Sequence, residues 1–64
     1  MDAMDISAIV VRRKALRLTQ QQLAAAAGVS MSTLSDIEGG KRVPLVSTYN
    51  ALDAALSARE AAAS

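Results

Sequence analysis

Bulky apolar residues are sparse in this chain, and their spacing divides it into four short segments of helical period. The first carries Ile6, Ile9, Val10 and Leu16, with Arg13 at the position that completes an i, i+3, i+4, i+7 stripe. It predicts a helix over about 6–17 that opens on Asp5 as N-cap and gathers Arg12, Arg13, Lys14 and Arg17 in its final turns, where the helix dipole favours cations. An arginine inside an apolar stripe is anomalous. Either its stem packs at the edge of the core, or its head meets a buried carboxylate.

Thr19-Gln20-Gln21-Gln22 reads as a capping box: the threonine hydroxyl accepts the amide three residues on, and Gln22 reaches back to the cap amide. A second helix over 20–27 follows, burying Leu23, Ala24 and Ala27 and closing on Gly28, which takes the left-handed conformation cheaply. Ser30 can cap a third helix over 31–38, stopped by Gly39-Gly40. At about 100° per residue, Leu34 and Ile37 fix its inner face and turn Ser32 and Asp36 outward with Ser35 beside them. Pro44 disfavours helical geometry at Val43 and suits a helix start, so a fourth helix is expected over 45–56 with Val46, Tyr49, Leu52 and Leu56 on its buried face. The residues beyond Ser57 have high helix propensity without a bulky anchor, and either extend this helix or fray.

The fold class is therefore all-α, a compact four- to five-helix domain. The expected divisions are an N-terminal arm over 1–5, the helical domain over 6–57 and an alanine-rich tail over 58–64. Composition tightens this picture. The 52% hydrophobic content is inflated by alanine and includes one aromatic residue, so in 64 residues every Leu, Ile and Val must be well placed, and a partner chain could add buried surface. With neither cysteine nor histidine, disulfides and the common zinc sites lack ligands, and no metal or cofactor is expected. The apolar runs Ile9-Val10-Val11 and Leu45-Val46 fall far short of the roughly 20 residues that span a bilayer. The acidic start Met1-Asp2-Ala3-Met4-Asp5 lacks the basic and apolar regions of a signal peptide, so a cytoplasmic location without membrane contact is expected.

Net charge is only +1, yet it is unevenly spread. Between Arg12 and Arg42 lie six basic residues (Arg12, Arg13, Lys14, Arg17, Lys41, Arg42) against Asp36 and Glu38, while acids dominate both ends. A solvated helix face would give the same cluster. Catalysis finds no support: the carboxylates outside the third helix are scattered, and there is no Gly-rich phosphate loop or metal-spaced cluster. No enzyme activity is expected.

Two short helices separated by Gly28-Val29-Ser30, the second with a small polar outer face, form the arrangement that places a recognition helix in the major groove. The pattern Arg13, Thr19-Gln20, Leu23-Ala24, Gly28-Val29-Ser30, Leu34-Ser35, Ile37-Glu38, Gly40-Lys41-Arg42 and Pro44 resembles the lambdoid phage repressor and XRE-type helix-turn-helix DNA-binding family. Thr48, Leu52, Ala55 and Leu56 extend the likeness through the fourth helix.

The resemblance implies a lambda-repressor-like fold and a transcriptional regulator, a repressor by default, that reads a double-stranded DNA operator as a homodimer. It puts Met31, Ser32 and Asp36 at base edges and Thr33 and Ser35 nearby, over bases or phosphates. Thr19 and Gln20 at the start of the second helix, and Lys41 and Arg42 after the third, would meet the DNA backbone. It joins Arg13 to Glu38 in a structural ion pair, and leaves Arg12 and Arg17 as solvated charges. Asp53 stands where the family usually has alanine and Tyr49 where it often has leucine, positions that either shape a dimer surface or only tolerate exposure. A protein on this pattern would sit on the nucleoid when bound. Two alternatives use the same fold: an antitoxin that represses its own operon and binds a toxin protein, and a protein-interaction module that no longer binds DNA.

Overall fold

The computed structural model describes residues 5–63, so all but Asp5 of the expected arm, and Ser64 of the tail, lie outside the described residues. Four helices follow one another, α1 (Ile6–Ala15), α2 (Gln20–Ala27), α3 (Met31–Glu38) and α4 (Val46–Ala63). α2 packs against α3 and α4, and α1 closes the bundle by touching α3 and α4.

Local chemistry accounts for the ends of each helix. Asp5 accepts the Ala8 amide at 3.1 Å and starts α1. Thr19 Oγ1 accepts the Gln22 amide at 3.0 Å while Gln22 Oε1 accepts the Thr19 amide at 2.9 Å, a reciprocal box that opens α2. Gly28, at φ 74°, ends it. Ser30 Oγ accepts the Thr33 amide at 3.1 Å and starts α3. At the other end of α3 the left-handed residue is Gly40, at φ 77°, and the Lys41 amide turns back to the Asp36 carbonyl at 2.8 Å.

Helix α1 ends two residues before the expected boundary. Its stop is a left-handed cap built on Arg17, at φ 59°, with the Leu18 amide donating to the Arg13 carbonyl at 3.1 Å. No glycine marks this end in the sequence, which hides the stop. At the far end of the chain, α4 runs on through 58–63.

Ile9, Leu23, Leu34, Ile37, Leu52 and Leu56 are fully buried, with Leu18 and Ala24 nearly so. Tyr49 packs against this cluster, and its hydroxyl accepts the Asp5 amide at 3.4 Å. Val46, expected on the inner face of the fourth helix, is instead 63% exposed, as Val43 and Leu45 before it are, and the packing of α4 on the core starts at Tyr49.

Arg12 is not solvated. Its guanidinium lies between α1 and α4, with Nη1 donating to Asp53 at 2.7 Å, Nε and Nη2 to Glu60 at 2.8 and 2.9 Å, and Nη2 to Ser57 at 3.2 Å. Asp53, Ser57 and Glu60 recur at i, i+4 and i+7, so one face of α4 receives the arginine. This clasp holds the alanine-rich turns of α4, where no bulky side chain would.

The left-handed backbone at Arg17 costs an L-residue on the order of 1 kcal/mol that glycine avoids. Arg17→Gly is therefore expected to stabilise the domain by a few tenths of a kcal/mol, up to about 0.5 kcal/mol, in urea unfolding, after the entropy glycine loses on folding is allowed for. A loss of stability would contradict the cap described here.

Candidate nucleic-acid interface

Helix α3 owes its outer face to what lies beneath it. Leu34 and Ile37 are fully buried and set its rotation, so Met31, Ser32 and Ser35 are exposed and Thr33 and Asp36 half-buried. The face is small and polar apart from Met31, which is 50% exposed. Ser30 Oγ donates to Thr33 Oγ1 at 2.7 Å and lies 3.5 Å from Ser32 Oγ, so three hydroxyls cluster at the N-terminus of α3.

Arg13 and Glu38 fasten this helix to α1. Arg13 Nε and Nη2 donate to the two carboxylate oxygens at 2.8 and 2.9 Å, the bidentate geometry that a planar guanidinium favours, with side chains only 11% and 7% exposed. A third bond, from Nη1 to the Leu18 carbonyl at 2.8 Å, ties in the connection between α1 and α2. Gln20 Nε2 adds a fourth, donating to Glu38 Oε1 at 3.0 Å. Burial alone would push the Glu38 carboxyl up, but hydrogen bonds from Arg13 and Gln20 and the nearby charges of Arg13 and Lys14 outweigh it and hold it below the ordinary range.

Gln20 thus has two tasks open to it. One amide hydrogen goes to Glu38, and the other remains for a ligand at the positive end of α2, where first-turn backbone amides also point outward. Thr19 sits beside it, exposed, its hydroxyl accepting within the capping box.

Lys41 and Arg42 follow α3 and are both exposed. Arg42 Nη2 lies 3.8 Å from Asp36 Oδ2, a loose pair with side chains 56% and 40% exposed. Such a pair contributes little and separates easily. The structure therefore gathers Met31, Ser32, Ser35, Asp36 and Arg42 around α3, and links Gln20 to it through Glu38. Sequence reasoning missed the Leu18 carbonyl, the Gln20 bond to Glu38 and the acids around Arg12. Only the last left a trace, the 53–57–60 spacing. Since Arg12 is neutralised by α4, the exposed cations of the central segment reduce to Lys14, Arg17, Lys41 and Arg42.

The sequence pattern of the helix-turn-helix domain family matches residues 11–63. The chain belongs to that family. Its fold is a DNA-binding one, with α2, the turn at Gly28-Val29-Ser30 and α3 as the motif. A search of curated proteins returns no significant match. Among the described residues of this helix-turn-helix domain, no helix is long and apolar enough to cross a membrane.

Replacing Glu38 by glutamine keeps the shape but leaves Arg13 buried without a counter-charge, a change that costs about 3–5 kcal/mol for a buried pair. Because the folded carboxyl titrates lower than the unfolded one, its contribution is complete above the ordinary glutamate value of 4.5 and is lost as pH falls through the lower folded value. In urea unfolding the stability gap between wild type and Glu38→Gln should be widest near neutrality and close in acid. The Glu60 carboxyl, also lowered by its hydrogen bonds from Arg12, is common to both proteins and cancels from the difference. A gap independent of pH would contradict the buried pair.

Proposed function

We propose that this protein is a sequence-specific double-stranded DNA-binding transcriptional regulator, a repressor of XRE type, that lays α3 in the major groove. The observation that carries the reading is the exposed small-polar face of α3, fixed from below by the Arg13–Glu38 pair. Met31 fits a thymine methyl, Asp36 can accept from a cytosine amino group, and the hydroxyl of Ser32 hydrogen-bonds to either kind of edge. Ser35 and Thr33 lie beside these. The backbone is left to Thr19, Gln20, Lys41 and Arg42, which set affinity and register without reading bases.

Arg42 and Asp36 make the binding step concrete. On contact with a duplex, Arg42 leaves its loose partner for a phosphate, and Asp36 is freed to face a base. The protein acts as a binder, without catalysis or cofactor, in the cytoplasm and on the nucleoid. One eight-residue helix spans few base pairs, so a homodimer on paired half-sites is the working form. The DNA-binding domain is taken as 6–57, and residues 58–63 are held to it through the bonds of Arg12 to Glu60.

An antitoxin that represses its own operon remains the second reading, supported by the alanine surface of the last turns of α4, which a toxin protein could cover. A neighbouring toxin gene separates the two.

Phosphate contacts release counterions, so binding to duplex should weaken steeply with salt. Arg42→Ala should lower affinity on all sequences and reduce the log–log salt slope by about one. Asp36→Ala should instead keep the slope and lose about 1–3 kcal/mol of discrimination at one base pair. Fluorescence anisotropy on labelled duplexes measures both. An Arg42→Ala protein with wild-type slope would contradict the assignment.

A further inference from the structure

Among the described residues, Arg17 is the one non-glycine residue with a positive φ, and it sits in the short connection from α1 to α2. Such a backbone persists only where its surroundings hold it. Two supports are present. From within, Arg13 Nη1 donates to the Leu18 carbonyl at 2.8 Å. From the other side, Leu16 and Leu18 line one small cleft with Arg59, Ala62 and Ala63, so the last turns of α4 lie alongside the connection. Leu18 is buried there and Leu16 half-buried. Thr19 and Gln20, the start of α2, follow directly in the chain.

The last turns of α4 have little packing of their own. Beyond Leu56 the helix carries no bulky apolar residue, and what fastens it to α1 is Arg12, through Glu60 at 2.8 and 2.9 Å, Asp53 at 2.7 Å and Ser57 at 3.2 Å. Glu60 lies between Arg59 and Ala62 in the sequence, so its bonds hold the same turns that line the cleft with Leu16 and Leu18. We propose that Arg12 and Glu60 are positioning residues for DNA binding: through the end of α4 they hold Leu16 and Leu18, and thereby set Thr19 and Gln20 against a phosphate. The proposal rests on the DNA-binding reading, from which it takes Thr19 and Gln20 as backbone contacts. Neither Arg12 nor Glu60 touches DNA in this scheme. Glu38 places the Gln20 side chain, whereas the end of α4 places the backbone that carries it. Lys41 and Arg42 follow α3 and stand outside this series of contacts.

Two measurements on the full chain test this. In the free protein, Arg12→Gln should speed hydrogen exchange about tenfold at the Leu18 amide, bonded to the Arg13 carbonyl, and the Gln22 amide, bonded to Thr19 Oγ1. The Thr33 amide, which caps on Ser30 at the start of α3, should exchange as in wild type. Glu60→Gln leaves Asp53 on Arg12 and should act in the same direction more weakly, which keeps the test open if Arg12→Gln unfolds. On labelled duplex, Arg12→Gln should weaken binding about fivefold alone but about twofold at most in a Gln20→Ala background, because residues that act through one another are not additive. Combined with Lys41→Ala, the two losses should multiply. Three results would overturn the proposal: unchanged exchange at Leu18 and Gln22, exchange that rises equally at Thr33, or a loss of affinity that multiplies with Gln20→Ala as it does with Lys41→Ala. The second would make Arg12 a general stabiliser. Failure of the parent reading looks different. A chain that binds no duplex, yet loosens at Leu18 and Gln22 in Arg12→Gln, would reject DNA binding and keep the link from α4 to the start of α2.

Discussion

The bidentate pair of Arg13 and Glu38 is the interaction on which the rest of the structure depends. It joins the end of α1 to the end of α3, and further hydrogen bonds tie it to the Leu18 carbonyl and to Gln20. Removing either partner strands a charge in a site with almost no access to water. The pair therefore acts as a positional constraint. α3 is eight residues long: Leu34 and Ile37 set its rotation from within, and the pair holds its C-terminal end against α1. Through Glu38 the amide of Gln20 is placed in register with α3, so the element read as meeting phosphate and the element read as meeting bases are held by one carboxylate.

Around that bridge the domain economises on apolar bulk. The core holds few large side chains, and alanine fills many of the remaining helical positions. Polar interactions take over where packing ends. The capping box and serine cap give the short helices α2 and α3 their starts, and the Arg12 clasp holds turns of α4 that have nothing bulky to bury. Donating hydrogen bonds to the Glu60 and Asp53 carboxylates raises the Arg12 guanidinium still further, which keeps the cation that organises this seam permanently charged. Val11 and Val43 are exceptions to this economy: both are exposed and line a groove with Ile37 and Glu38 of α3.

Much of this was legible from residue order. Thr19 and Gln22, Gly28 and Ser30 announce α2 and α3 because caps are local and need only nearby residues. The alternation of Leu34 and Ile37 with serines turns the outer face of α3 outward before any tertiary contact is known. Arg13 stood out as a charge on an apolar stripe, with its two explanations left open by spacing alone. What escaped had non-local or unusual causes. The end of α1 rests on an arginine in a glycine-like conformation, which no propensity predicts. Arg12 looked solvated because its partners lie more than forty residues away on another helix. Val46 keeps helical spacing with Tyr49 and Leu52, yet periodicity cannot tell that the packing of α4 on the core starts only at Tyr49.

Function follows from rigidity below and adaptability above. The buried bridge fixes where α3 sits, while the side chains on its surface are short, apart from Met31, and the one charged pair among them is loose. In the reading proposed above, such a face would discriminate by hydroxyls, a thioether and one carboxylate, and draw its affinity from the basic residues that flank it. Selection of bound duplexes from a random library tests this most directly. The account predicts enrichment of one inverted repeat whose half-sites lie about one helical turn apart; recovery of duplexes with no shared sequence would contradict it.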